Sequence, residues 1–167
     1  YWSFHGKHTY YICSNFLGFY GSICRIWRWH LFNSWFSVSS RIGNAYFIPD
    51  NLTIQTLVEA RRRGVKVEVI VPGPLIDERL ARLVSRSRWG PLLRAGVRMF
   101  EYGPALYHCK YMVVDGCWSS VGSTNLDNRS LRLNAEANLN VHDASFARIS
   151  CGADITNLSQ QRYNLLT

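Results

Sequence analysis

The chain has 167 residues, of which 47% are hydrophobic, and a net charge of +8. This length gives room for one ordinary domain with its own core and leaves little for a second. Five cysteines without a CxxC spacing argue against a zinc cluster or a disulfide framework and favour a reducing compartment. The excess of basic residues indicates an anionic partner, either phospholipid or nucleic acid.

Residues 1–41 differ from the rest because they contain no acidic residue and hold four of the six tryptophans. One interpretation is an interfacial segment, since aromatic rings and arginines suit a membrane–water boundary. We favour the other, a poorly ordered segment or one foreign to the neighbouring domain, such as a product of a shifted reading frame. No charge-free apolar run reaches 18 residues, so a membrane-spanning helix is not predicted.

Regular patterns begin at residue 42. Residues Asn44–Pro49 are predicted to form a short apolar strand. Asp50 can cap the helix that follows, and Gly64 is a suitable residue to end it. The β-branched run Val65–Val71 predicts the next strand. A helix is expected over Leu75–Arg86, with a core stripe of leucine and isoleucine side chains at Leu75, Ile76, Leu80 and Leu83.

A further helical turn is expected near Pro91–Arg94, before a strand at Val97–Tyr102. Two more strands, Leu106–Val114 and Trp118–Val121, flank the hairpin signal Asp115-Gly116. The last predicted elements are a strand at Ala137–Val141 and a helix from Ala144 onward. This alternation predicts an α/β fold with a mixed sheet flanked by helices.

The stretch His108-Cys109-Lys110 carries the first chemical signal. Alternate residues of a strand share one face at a separation of roughly 7 Å, so His108 and Lys110 are expected to project together. A neutral imidazole is available near neutral pH and can attack phosphorus. The lysine ammonium can stabilise the negative charge that builds on phosphate oxygens.

The second predicted strand returns to a Gly-Ser-Thr-Asn sequence. Gly122 permits close backbone approach to an anion, while the Ser123 hydroxyl and the Asn125 amide can donate hydrogen bonds to phosphate. A neutral histidine also needs an acceptor for its far nitrogen, and Glu136 is a candidate. Asp115 lies at the predicted hairpin turn, away from the His108 and Lys110 pair.

These residues match the HxKxxxxDxxxxxxGSxN motif of the phospholipase D superfamily, in which Asp115 occupies the aspartate position and has a supporting role. The flanking sequence resembles the second half of bacterial cardiolipin synthase-like proteins over about residues 42–147. The resemblance fades through 148–167, expected to be a diverged helical tail, and is absent from 1–41. It implies a phospholipase D-like α/β/α half-domain.

The resemblance also implies a mechanism and a substrate. In this family two motifs meet across a pseudo-twofold axis, one histidine is phosphorylated, the other protonates the leaving group, and a glutamate at the place of Glu136 orients the histidine. The implied activity is phosphatidyl transfer from phosphatidylglycerol without metal or cofactor, at the cytoplasmic side of a bacterial inner membrane. This chain carries one motif, so a homodimer partner or a missing half must supply the second.

Alternatives of two kinds stay open, namely another reaction by the same chemistry and no reaction at all. Water as acceptor would make a phospholipase D, and a nucleic-acid substrate would make a single-motif dimeric nuclease, although the flanking sequence makes nucleic acid the less favoured partner. The other alternative is a non-catalytic fragment that lacks the first motif.

Overall fold

The computed structural model describes residues 9–15, 38–155 and 163–166. Predictions for the remaining positions, including most of the segment 1–37 and its interfacial interpretation, lie outside the described residues. The described residues contain eight strands: β1 Thr9–Asn15, β2 Ser39–Asn44, β3 Lys66–Pro72, β4 Arg98–Tyr102, β5 Lys110–Val114, β6 Trp118–Gly122, β7 Glu136–His142 and β8 Tyr163–Leu166. The described helices are α1 Asn51–Arg62, α2 Arg79–Ser87, α3 Gly90–Arg94, α4 Asn128–Arg132 and α5 Ala144–Ile155.

The strands form one mixed sheet in the order β1-β7-β6-β5-β2-β3-β4-β8. Strands β2, β3 and β4 are parallel to one another, while the other pairs are antiparallel. The prediction of a mixed sheet flanked by helices is confirmed. Strands β1 and β2 begin at Thr9 and Ser39, so both draw on the first 41 residues of the chain.

Side chains alternate between two cores because successive strand residues point to opposite faces. On β3, Val67, Val69 and Val71 enter the larger core, whereas Ile70 enters the smaller one. The larger core also takes side chains from α1 and α3, and the smaller one takes Ala147 of α5. The sheet is therefore the middle of three layers.

Local capping works as the sequence indicated. The Asp50 carboxylate accepts a hydrogen bond from Thr53 N at 2.8 Å and so caps α1. Gly64 follows that helix with φ of +91°, a left-handed conformation that glycine adopts without strain. The predicted β5–β6 hairpin is also confirmed, with φ of +52° at Asp115 and +63° at Gly116, as a type I′ turn requires.

The predicted strand Asn44–Pro49 is wrong. Ladder pairing of β2 stops at Asn44, opposite Lys110. Beyond it the chain turns toward the loop after β6, where Ile48 N donates to Leu126 O at 3.0 Å. The apolar run is therefore a crossing segment and not a strand, and its Phe47 fills the larger core.

The predicted core stripe of the helix after β3 is also wrong. Helix α2 begins only at Arg79, and Leu75, Leu80 and Leu83 are 55%, 73% and 64% exposed. Its inward side is polar instead. Arg82 makes two hydrogen bonds of 3.0 Å to the buried Glu101 carboxylate on β4, and Arg86 adds a third at 3.1 Å. These ion pairs turn the apolar side of α2 to solvent.

Candidate active site

The ends of four strands meet at one end of the sheet. The register pairs Asn44, the last residue of β2, with Lys110, the first residue of β5. Strand β6 runs antiparallel to β5, so its final residue Gly122 reaches the same end, beside the start of β7. The topology thus assembles residues that are up to about ninety positions apart in sequence.

His108 lies in the extended segment before β5. The strand predicted from Leu106 begins only at Lys110, because its neighbour β2 ends at Asn44 and offers no partner further on. The imidazole is exposed, and its centroid lies 5.8 Å from that of the Tyr46 ring at an interplanar angle of 86°. A nucleophile at this position is open to a substrate that approaches from outside the domain.

Lys110 contacts the backbone of His108. Its Nζ donates a hydrogen bond of 3.0 Å to the His108 carbonyl oxygen. Partial burial lowers the pKa of Lys110, and the nearby charges of Cys109, Glu136 and Asp77 oppose that shift. The ammonium is thus held against the His108 backbone, within electrostatic range of two carboxylates.

Ser123 and Glu136 are brought together across the β6–β7 connection. The Ser123 hydroxyl donates to Glu136 Oε2, and Asn134 Nδ2 donates to Glu136 Oε1 at 3.2 Å. Ser123 Oγ also accepts from Ala137 N at 3.1 Å. In the described part of the chain, the hydrogen bonds of the Glu136 carboxylate go to these two side chains and not to His108.

The loop that carries Asn125 is braced by two buried asparagines. Asn44 Oδ1 accepts from Leu126 N at 3.1 Å, and Asn138 Oδ1 accepts from Thr124 Oγ1 at 3.0 Å. Asn125 itself accepts a hydrogen bond from Tyr46 N at 3.3 Å on its Oδ1. The loop is therefore fixed from both sides of the sheet end.

Gly122 is needed for the close packing of β6 against β7, a role that the sequence did not indicate. A Cβ at this position would lie 2.0 Å from Asn138 Oδ1 and 2.2 Å from Ala137 O. The glycine therefore lets β6 and β7 approach where Ser123 meets Glu136, which differs from the predicted role of admitting an anion.

Asp115 is not brought to the other residues. It lies at the opposite end of β5 from Lys110, about 16 Å along the strand. Its Oδ1 accepts hydrogen bonds from Val38 N at 2.6 Å and Ser39 N at 2.8 Å. These bonds hold the start of the central strand β2.

Two residues of the site were missed in the sequence. Tyr46 was predicted only as part of the apolar strand Asn44–Pro49, yet it is half-buried and its ring contacts His108. Its hydroxyl donates to Asp77 Oδ2 at 2.6 Å. No local pattern marks either residue, because they come from the loops after β2 and β3 and meet only in the folded sheet.

Comparison with known proteins identifies the fold and the family. The fold and the clustered residues define a phospholipase D-like domain. The chain belongs to the family described as "Cardiolipin synthase, PLD-like domain", which matches residues 37–150.

Among curated relatives, cardiolipin synthase B of Escherichia coli K12 is 41% identical over 105 residues, covering 63% of this chain and 25% of the relative. Cardiolipin synthase A of Pseudomonas putida F1 is 44% identical over 106 residues, covering 64% and 22%. The match thus spans about a quarter of the length of these relatives.

Solved structures show the same fold. The phospholipase D family member Nuc from Salmonella typhimurium matches with a TM-score of 0.76 at 15% identity, covering 96% of this chain and 99% of that chain. Phosphatidylserine synthase from Haemophilus influenzae matches with a TM-score of 0.68 at 19% identity, covering 95% and 40%. Within the described residues, no helix is both long and apolar enough to cross a bilayer.

Proposed function

We propose that this domain acts as a phosphatidyltransferase of the cardiolipin synthase type, with phosphatidylglycerol as donor and a phosphohistidine intermediate on His108. The observation that carries the proposal is the hydrogen bond from the Lys110 ammonium to the His108 carbonyl oxygen, at the sheet end where the Ser123–Asn125 loop is braced and the imidazole is exposed. The sequence similarity to cardiolipin synthases supports the choice of lipid.

In the first step a neutral ring nitrogen of His108 attacks the phosphorus of phosphatidylglycerol. The nitrogen–phosphorus bond forms, the bond from phosphorus to the head-group glycerol oxygen breaks, and that oxygen leaves with the electron pair and takes a proton from a general acid. In the second step a hydroxyl of another phosphatidylglycerol loses its proton and attacks the same phosphorus. The phosphatidyl group moves to that oxygen and His108 is released.

The remaining residues stabilise charge in both steps. Lys110 carries positive charge toward the phosphate oxygens. Asn125 has its Oδ1 occupied by Tyr46 N, so its Nδ2 is the group that it can offer to the phosphate. Ser123 shares its hydroxyl with Glu136, which keeps a negative charge near the site and fixes the serine.

The general acid requires a second half-site. Within the described residues, His142 is the other histidine, and it lies at the far end of β7, paired with Trp118. A second copy of this chain or the rest of a longer chain would supply the missing group. The exposed leucines of α2 support such a protein contact, because α2 follows directly on Asp77 at the site. A lipid substrate would keep the assembly on the cytoplasmic side of a bacterial inner membrane.

The test is the chemistry of His108 itself. Purified protein is incubated with phosphatidylglycerol vesicles and analysed for a covalent phosphatidyl adduct and for cardiolipin. His108→Ala is expected to lose both, while His142→Ala, which alters another exposed histidine away from the site, keeps both. An undiminished adduct in His108→Ala would refute the mechanism.

The same assay separates the alternatives. Phosphatidic acid in place of cardiolipin would identify water as the acceptor, and cleavage of plasmid DNA without lipid turnover would identify a nuclease. The fold match covers 99% of the Nuc chain, so a chain of this size can hold the whole fold of a phospholipase D family member, and at 15% identity the match supports the fold alone. Failure to form any adduct, together with a monomeric mass, would favour a non-catalytic fragment.

A further inference from the structure

The loops after β2 and β3 bring the phenol of Tyr46 and the carboxylate of Asp77 to the side of the site that holds His108. Tyr46 is the second residue after β2, and Asp77 lies in the loop between β3 and α2. Gly73 lets this loop leave β3 closely, since a Cβ there would lie 2.5 Å from Tyr102 O. The loop thereby reaches Tyr46, whose hydroxyl donates to Asp77 Oδ2 at 2.6 Å.

Tyr46 connects three parts of the site. Its ring meets the His108 imidazole edge to face, its N–H donates to the Oδ1 of Asn125, and its hydroxyl binds Asp77. One residue therefore sets the distance between the nucleophile segment and the loop that carries Asn125. It also holds a carboxylate that would otherwise be a mobile surface side chain.

The pair has a fixed state of protonation near neutral pH. Burial and the Asp77 carboxylate raise the pKa of Tyr46 to about 12, so the phenol stays a donor. The hydrogen bond from Tyr46 in turn lowers the pKa of Asp77, and the charge of His108 acts in the same direction. Asp77 is thus an ionised carboxylate within electrostatic range of the imidazole.

We propose that Tyr46 and Asp77 form a positioning pair for His108, in which Tyr46 orients the imidazole and fixes a negative charge beside it. This inference rests on the proposed phosphohistidine chemistry. Bonding of a ring nitrogen to phosphorus leaves positive charge on an imidazole that keeps its other N–H, and a fixed carboxylate nearby stabilises that charge. Neither residue exchanges a proton or a bond with the substrate.

The test is a double-mutant cycle on adduct formation, measured in single turnover with phosphatidylglycerol vesicles. Asp77→Asn keeps shape and acceptor but removes the charge, and should slow adduct formation about 10-fold. Tyr46→Phe keeps the ring but frees the carboxylate, and should slow it about 5-fold. The double variant should lose no more than Asp77→Asn alone, because both changes remove one interaction.

Asp50→Asn is the matched control. It removes the same charge from another residue that precedes a helix, and asparagine caps α1 equally well, so the rate should stay unchanged. A second readout does not depend on turnover: in Tyr46→Phe the carboxyl carbon of Asp77 should titrate at higher pH, because the hydrogen bond that lowers its pKa is gone.

Three outcomes would overturn the pair. They are multiplicative losses in the double variant, an unchanged rate in Asp77→Asn, and a raised KM with an unchanged adduct rate, which would make Asp77 a substrate contact. If the unaltered protein forms no adduct, the proposed function is refuted instead. The assay of the unaltered protein therefore separates this failure from a failure of the Tyr46–Asp77 pair.

Discussion

The Ser123 hydroxyl donates to the Glu136 carboxylate across the connection between β6 and β7, and both residues lie at the same sheet end as Lys110. Glu136 is buried, and its carboxylate takes its side-chain hydrogen bonds from Ser123 and Asn134. A predicted phosphate donor is therefore also the partner of the predicted orienting carboxylate.

This relationship predicts that Ser123→Ala lowers stability as well as activity. The substitution removes a donor from a buried carboxylate and an acceptor from Ala137 N. We expect a loss of about 1–3 kcal/mol in the free energy of unfolding, measured in urea. Ser123→Thr keeps the hydroxyl and should retain most of that stability. Equal stability of the alanine variant and the unaltered protein would contradict this account.

Asp115 should contribute to stability and not to the rate of adduct formation. Asp115→Ala removes two hydrogen bonds to the start of β2 and places alanine at a φ of +52°. The expected cost is about 2 kcal/mol of unfolding free energy, with an unchanged rate per folded molecule. Asp115→Asn keeps the acceptor and tolerates this φ, so it should recover most of the loss. A rate defect in a fully folded Asp115→Asn variant would argue for a role in catalysis.

Gly122 should not tolerate a side chain. In Gly122→Ala the added methyl would meet backbone and side chain of β7 at 2.0–2.2 Å, and β6 and β7 would have to separate. We expect a loss of about 1–3 kcal/mol in thermal or urea unfolding, together with reduced adduct formation. Gly103→Ala is the matched control, since a Cβ there meets nothing within 4 Å. Similar behaviour of the two variants would show that the approach is not required.

The buried carboxylate of Glu68 should make the free energy of unfolding depend on pH. Its burial works to raise its pKa, but the hydrogen bond and charge of Arg41, with Lys66, outweigh burial and hold the pKa below its usual range. A lowered folded-state pKa means that stability is fully present above the unfolded value, about 4.3, and is lost as pH falls through the folded one. Urea unfolding between pH 3 and 7 should show this loss. Glu68→Gln should lower the free energy of unfolding at pH 7 by about 3 kcal/mol, and this free energy should fall less steeply with pH below about 4.3. An equal slope in both proteins would exclude Glu68 as the source of the pH dependence.

The apolar side of α2 should be an assembly surface if a second half-site completes the enzyme. Leu80→Glu combined with Leu83→Glu should yield a monomer in sedimentation and remove adduct formation, without lowering the unfolding free energy, because both side chains face solvent in the single domain. Ile149→Glu alters an equally exposed position on α5, on the other face of the sheet, and should change neither property. An unchanged mass and activity in the α2 variant would exclude this surface.

Sequence reasoning succeeded where the determinant was local. The cap at Asp50, the turn at Asp115-Gly116 and the β-branched run at Val65–Val71 each specify their structure through neighbouring residues. The adjacency of His108 and Lys110 was likewise local, although the segment around His108 lacks the strand pairing that was expected.

It failed where the determinant was a partner far away in sequence. The leucine spacing of α2 indicated a core stripe. The ion pairs of Arg82 and Arg86 with Glu101 on β4 instead turn the arginine side of the helix toward the sheet and the leucine side toward solvent. Tyr46 carried no signal of a site residue within the predicted strand Asn44–Pro49, because Asp77 and His108 become its neighbours only after three strands have paired. The residue pattern of a single helix or strand does not show which of its faces will meet charged side chains from neighbouring elements.

The hydrogen bond from Tyr46 N to Asn125 joins positions 79 residues apart in sequence, and the one between Leu126 N and Asn44 joins positions 82 apart. Closing loops of this length is entropically costly and slow, so such contacts form late during folding. The motif stretch from His108 to Asn125 contains the nucleophile and its neighbours in eighteen consecutive residues. As a separate peptide it would lack the asparagines and the tyrosine that hold its loop, and the ability to form an adduct should therefore emerge only in the last phase of refolding.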